Sequence, residues 1–274
     1  MEGPLRQRSF FVYLSGERPE VTTGKADLHV HTSASDGISD VRQVLASAQK
    51  AGINVLAITD HNLIHSATRA QALAGQYGLE VVVGEEVSTR DGHLLALFLR
   101  DRIPPKLSLS ESIAAVHDQG GIAVIAHPYD PVSNGVLNPW RNNITEERLL
   151  ALGFDAMEAF NACLVGKGPN QRARLLAERA GRAIVSGSDA HSAATVGLAC
   201  TYFPGRSAAD LKQAILTAET VPSGSTWTLR QYADLLRKRE LRYAGVAASY
   251  AIGLCSGAAF AAALALRSGV TRLF

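Results

Sequence analysis

The chain has 274 residues, 47% hydrophobic and 19% charged, which is enough apolar mass for one large α/β domain or two small ones and too much for a disordered chain. Lysine plus arginine (27) nearly balance aspartate plus glutamate (25), so no overall field argues for nucleic acid, although a local basic groove stays open. The three cysteines, Cys163, Cys200 and Cys255, are odd in number and lack C-x-x-C spacing, which argues against a disulfide framework and fits packing residues in a reducing compartment.

Residues 1–24 read as an N-terminal extension, charged and without the apolar run of a signal peptide. From Lys25 to about Gly224 short apolar runs alternate with amphipathic segments, the rhythm of β-α units in a barrel-like or layered α/β domain. The first strand, Ala26–His31, carries His29 and His31 on one face, because side chains two apart in an extended segment point the same way. Asp36 follows in the loop; Asp27 is expected to face away and to orient a neighbour rather than bind metal. A helix over Ser39–Ala51 leads to the strand Val55–Thr59, which ends in Asp60 and His61. After a helix over Ile64–Tyr77 comes Val81–Val87, holding the adjacent Glu85 and Glu86. Only one of these can face a site; the Gly84-Glu85-Glu86 pattern favours Glu86 and leaves Glu85 solvated or paired outside. Leu94–Leu99 opens behind His93, and Ser110–Gln119 reads as a helix.

Ala123–Ala126 ends in His127 and opens the longest connection, Tyr129–Asn143, whose length and Pro, Asn and Gly content mark a functional loop. Arg141 in that loop is a candidate for holding a phosphate. Past a helix over Thr145–Leu152, the strand Ala156–Phe160 ends in Asn161, and Lys167 lies in the next loop; both are further substrate-binding candidates. A helix over Pro169–Ala180 precedes the strand Ala183–Ser186, which runs into Asp189 and His191, and a weaker strand Ala199–Phe203 and helix Ala208–Ala218 complete the domain. Ser39 and Ser110 read as helix N-caps, and Gly52, Gly78, Gly120 and Gly181 as helix stops.

Six of the eight histidines thus fall at strand edges beside carboxylates, whereas His65 and His117 lie in helical segments and read as ordinary surface residues. In parallel α/β folds the C-terminal strand edge is where active sites gather. Imidazoles with carboxylates suit Zn, Mn or Fe, and nine candidate ligands are too many for one ion, so several cations with open positions are the economical reading.

The ordered segments DLHVHTSASDG, ITDHN, GEEVS, HLLALF, AHP and GSDAH resemble the PHP (polymerase and histidinol phosphatase) domain, a family of metal-dependent phosphoesterases, over residues 25–224. The resemblance implies a distorted (β/α)7 barrel with a trinuclear site at the C-terminal end of its strands. It implies that His29, His31, Glu86 and Asp189 hold a first metal, that Glu86 bridges to a second completed by His93 and His127, and that Asp36, His61 and His191 hold the third. Glu86, Asp189 and His191 are then the residues closest to the chemistry. A hydroxide bridging two cations would attack phosphorus while the third neutralises the phosphoryl oxygens. The substrate expected is a small phosphomonoester or nucleotide. The alternatives are exonuclease cleavage at a nucleic-acid end and a metal-stabilised binding module without turnover.

Residues 225–242 read as a basic linker helix ending in RKRELR, with Arg237, Lys238, Arg239 and Arg242. Tyr243–Leu266 carries no charge and as a helix is long enough to cross a hydrocarbon core about 30 Å thick, with a short tail, 267–274, carrying Arg267 and Arg272. The excess of positive charge before it places the catalytic domain on the cytoplasmic side. Small residues recur at Gly245, Ser249, Gly253, Gly257, Ala261 and Ala265, a stripe suited to helix packing in a homo-oligomer. The alternative is an Ala-rich helix buried on the barrel.

Overall fold

The structure is a computed structural model that describes residues 23–138, 140, 144–164 and 168–240. Nine strands form one sheet: β1 (Thr23–Asp27), β2 (Val55–Ile58), β3 (Glu80–Ser88), β4 (His93–Leu97), β5 (Ile122–Ile125), β6 (Ala156–Asn161), β7 (Ala183–Gly187), β8 (Ala199–Pro204) and β9 (Val221–Gly224). Their spatial order is β7-β6-β5-β4-β3-β2-β1-β8-β9. The sheet curls until its ends meet, where the Ser186 amide donates to Thr201 Oγ1 at 2.9 Å and that hydroxyl donates to Ser186 O at 3.0 Å. This is an α/β barrel-like fold with a nearly closed sheet.

The helices are α1 (Val41–Lys50), α2 (His65–Leu73), α3 (Leu109–Asp118), α4 (Glu146–Leu150), α5 (Gly168–Ala180) and α6 (Ala208–Leu216). The expected caps move by a residue or two: Asp40 with Gln43, and Ser108 with Glu111, form reciprocal boxes that satisfy two helix-end groups each, which Ser39 and Ser110 cannot do. The expected stops all hold positive φ, +67° at Gly78 for example. Alternate residues of β2 serve opposite faces. Leu56 and Ile58 join the core beneath α1, α2, α3 and α5, while Val55 and Ala57 join a second core that takes in Leu211, Ala214 and Ile215 of α6. Burial on both faces explains why these strands read as continuous apolar runs.

The arrangement departs from seven successive parallel units. Ser88 pairs with His93 in an antiparallel hairpin, and β4 runs antiparallel to β5 as well. Four residues, Thr89 to Gly92, are too few for the crossover a parallel partner requires. The reversal has a consequence for the site: His93 begins its strand, yet comes to the same edge as the ends of the parallel strands. β9 was not expected; Pro222 and Gly224 hide a short edge strand that pairs only with β8.

Beyond β9, residues 229–240 are helical. Among the described residues no helix is long and apolar enough to cross a membrane. The segment Tyr243–Leu266, on which the anchor, the homo-oligomer stripe and the C-terminal hydrophobic helix were expected, lies outside the described residues.

Candidate metal centre

The ends of β1, β2, β5 and β7, the middle of β3 and the start of β4 bring the nine expected ligands to one place. His29 Nε2, His31 Nε2, Glu86 Oε2 and Asp189 Oδ1 form a cluster: the two imidazole nitrogens are 3.1 Å apart, Glu86 lies 3.2 and 3.1 Å from them, and Asp189 lies 3.5 and 3.3 Å from them. Four ligands about 2.1 Å from a common tetrahedral centre would be about 3.4 Å from one another, so the spacing fits a cation held between them. Glu86 Oε1 points the other way, to His93 Nδ1 at 2.7 Å and His127 Nε2 at 3.0 Å. Asp36 lies 3.0 Å from His191 Nε2, 3.5 Å from His31 Nδ1 and 4.0 Å from His61 Nε2. Ligand atoms of His29, His31 and Asp189, of His29, Glu86 and His127, of His31, Asp36 and His61, and of His61, Glu86 and His93 each fall within 4.8 Å of one another.

The protein groups alone leave this cluster unsatisfied. Nδ1 of His31, His61, His93 and His127 are buried without a hydrogen-bond partner among the described residues. His93 Nδ1 is close to Glu86 but makes no hydrogen bond with it. Burial alone would raise the Glu86 and Asp189 carboxyls; the surrounding imidazoles outweigh it and hold both well below the usual carboxylate range. Burial likewise opposes protonation of the imidazoles, but Asp189 and Glu86 lift His31 to about 10 and Glu86 lifts His127 to about 9. Burial acts against His29 too, and Asp189, Glu158 and Glu86 raise it well above the ordinary histidine value. His61 is lowered, chiefly by burial. Cation uptake at imidazoles raised in this way would displace protons.

Several buried groups aim the candidate ligands. Glu158, a carboxylate within the apolar run of β6, accepts from His29 Nδ1 at 3.0 Å and from the His127 amide at 2.9 Å. Gly187 has no side chain because a Cβ would stand 2.4 Å from His29 Cβ and 2.7 Å from Glu158 Oε1. Asp60 accepts from the Thr32 amide at 2.7 Å and from the hydroxyls of Thr32, Ser35 and Ser66, which shapes the loop bearing Asp36. His127 and Asp189 sit at φ +24° and +50°, backbone strain of the kind that ligand geometry imposes.

Asp27 binds no cation position. Residues two apart share a face in an ideal strand, so alternation would have sent it beside His29; β1 ends there instead, and the carboxylate accepts from the Ser188 amide and hydroxyl and the Gly197 amide. Burial raises it to about 6. Glu85 does turn away from the site, as expected, but it is fully buried rather than solvated: it accepts from the Ile103 amide at 2.9 Å, and burial raises it to about 7. Of the three substrate-binding candidates, Asn161 is fully buried and its amide donates at 3.1 Å to both Glu158 and Asp189, so it holds ligands in place and does not reach outward. Arg141 and Lys167 lie outside the described residues. His65 and His117 are exposed, and His117 pairs with Asp155 at 2.8 Å.

Two groups not anticipated at the site, Trp227 and Arg239, close one side. The Trp227 indole lies edge-on to His191, centroids 6.1 Å apart, and its N–H donates to Ser188 O at 3.0 Å. Arg239 donates to Asp36 O at 2.7 Å and to Asp36 Oδ2 at 3.0 Å.

Comparison with known proteins gives the family and supports the fold. The PHP domain model matches residues 27–188, more than half of the chain, and a PHP-associated model matches residues 167–220. The chain belongs to the PHP domain family. An uncharacterized protein of Methanocaldococcus jannaschii is 38% identical over 149 residues, covering 50% of this chain and 82% of that one. A 5'-3' exoribonuclease of Haemophilus influenzae is 32% identical over 106 residues, covering 37% of this chain and 39% of that one. Among solved structures, a two-domain protein of Bacteroides vulgatus containing a predicted PHP-like metal-dependent phosphoesterase superposes with a TM-score of 0.63 at 20% identity, over 82% of this chain and 74% of that one.

Proposed function

We propose that the chain is a metal-dependent phosphoesterase that hydrolyses a small phosphomonoester or nucleotide. The observation that carries this reading is a ligand cluster closed on one side and open on the other. His29 and His31 are buried to 0% and 1% exposure, whereas the side chains of Asp36 and His61 keep 39% and 28%. Divalent cations such as Zn, Mn or Fe, when bound, supply an acidified water as nucleophile and positive charge for the phosphoryl oxygens. His29, His31, Asp189 and Glu86 Oε2 would hold one, Glu86 Oε1, His93 and His127 a second, and Asp36, His61 and His191 a third. Glu158 would accept a hydrogen bond from His29 Nδ1–H, leaving the Nε2 lone pair for a cation, and the Asp189 carbonyl would do the same for His191, whose Nδ1 lies 2.8 Å away.

The likeness to an exoribonuclease over part of its length favours, as second reading, cleavage at a nucleic-acid end. A panel of phosphomonoesters, nucleotides and 5′- or 3′-labelled oligonucleotides, assayed with Mn or Zn, separates the two. Release of phosphate from the small esters, abolished by chelation, is expected. Degradation of the oligonucleotides alone would assign the exonuclease, and a metal-loaded protein inert on all of them would leave the binding module.

We also propose, on sequence alone, that Tyr243–Leu266 anchors the catalytic domain to the membrane from the cytoplasmic side and pairs through its small-residue stripe. Full-length protein should stay in the membrane pellet through a carbonate wash; freely soluble full-length protein would overturn this.

A further inference from the structure

We propose that Arg239 binds the phosphoryl group of the substrate at the open side of the metal centre. This rests on the phosphoesterase reading and adds to it a residue beyond both matched family regions, which end at 188 and 220.

The helix over 229–240 is fixed against the site and not merely near it. The Trp227 amide donates to Ala162 O at 2.8 Å, the Tyr232 hydroxyl donates to Cys163 O, and Leu235 is buried in a small cluster with Ala162, Ala199 and Trp227. Tyr232, Leu235 and Arg239 are spaced three and four apart, so one helix face carries the anchors and the guanidinium together. That face aims Arg239 at Asp36, the most exposed of the ligand carboxylates. One nitrogen, Nη2, makes both bonds to Asp36, and Nε is buried without a partner among the described residues. A guanidinium carries five donors in a planar fork that matches phosphate oxygens in pairs.

The neighbouring ligands are arranged to attract an anion once cations neutralise their carboxylates. The side chain as a whole keeps 29% exposure, and its hydrogen bonds to the described residues use Nη2 alone, so a phosphoryl group held between the Asp36 side of the site and Arg239 would meet the remaining Nη1 donors and place its oxygens beside the ions. The neighbouring Arg237 and Lys238 are exposed, so this role falls to Arg239 and not to the basic run as a whole.

The test uses full-length protein, Arg239→Ala and Arg239→Lys, each loaded with Mn and checked for metal content and thermal unfolding. Calorimetric binding of inorganic phosphate should weaken at least tenfold in Arg239→Ala and less in Arg239→Lys, with metal stoichiometry unchanged. If the substrate panel shows turnover, KM should rise with a smaller change in kcat. Phosphate affinity within twofold of wild type would overturn the proposal, as would tighter binding, which would make the arginine a plug. Loss of a metal ion in Arg239→Ala would overturn it too, by reducing the residue to positioning Asp36. Because phosphate binding is read without turnover, a chain inert on every ester would refute the phosphoesterase reading while still deciding whether Arg239 binds the anion.

Discussion

Replacing Glu158 with Gln tests whether the cluster is tuned from behind. The carboxylate receives three donors on two oxygens: His29 Nδ1 at 3.0 Å on one, the His127 amide at 2.9 Å and Asn161 Nδ2 at 3.1 Å on the other. Glutamine fills the same volume but has one acceptor oxygen. With that oxygen toward His127 and Asn161, its NH2 faces His29 Nδ1, which must then accept and move its own proton to Nε2, the nitrogen needed for a cation. With the amide turned round, NH2 opposes two N–H donors. Either way a ligand is mis-set, and loss of such a supporting carboxylate costs roughly 10–100-fold in metal affinity, about 1.4–2.7 kcal/mol. Competition titration of Mn or Zn against a chelator, at fixed pH, reads the change directly. Glu158→Gln that folds and binds metal within twofold of wild type would refute the reasoning.

Active protein should contain two or three transition-metal ions per chain by elemental analysis; at most one would sink the trinuclear arrangement. In metal-free protein, His31 and His127 are raised to about 10 and about 9 from an unfolded value near 6.5, so their stabilisation is complete below about pH 6.5 and is lost as pH rises through 9–10. Asp27 and Glu85, raised to about 6 and about 7, make the same fall begin lower. The melting temperature of metal-free protein should therefore drop from pH 6.5 to 10, and a flat profile would count against these assignments; metal should be taken up with proton release, seen as a buffer-dependent binding enthalpy. Gly187→Ala drives a Cβ to 2.4 Å from His29 Cβ and should cost about 1–3 kcal/mol of stability as well as metal affinity, measured by denaturant unfolding and chelator competition.

The gathering of the nine candidate ligands was legible because metal chemistry restricts residue type and strand ends restrict place: His and carboxylate after an apolar run is a local pattern. The hairpin that carries His93 was less so, since His93 precedes its strand and only the short span to Ser88 betrays the reversal. Glu158 left one signal, a carboxylate inside an apolar strand, where an unpaired charge would be prohibitive. Asn161 sat where a substrate contact would sit, and no local feature distinguishes an amide facing out from one turned back onto Glu158 and Asp189. Trp227 and Arg239 left none, because their partners Ser188 and Asp36 are 39 and 203 residues away in the chain.

Arg239 also bears on where the site opens. The basic run before Tyr243 reads as a topological signal, yet one of its charges is committed to Asp36. Tyr243 is four residues on from Arg239, and four Cα–Cα steps span at most about 14 Å even when fully extended. If Tyr243–Leu266 spans a bilayer, the backbone of Arg239 therefore lies within about 14 Å of where that span begins, and the metal centre opens one arginine side chain beyond it. A small phosphoester or a free strand end can reach such a mouth, whereas long duplex would have to lie against the headgroups. Hydrolysis by protein in vesicles should accordingly fall more steeply with substrate length than hydrolysis by the same protein in detergent. Equal length dependence in both would separate the site from the membrane and return Tyr243–Leu266 to a packing role.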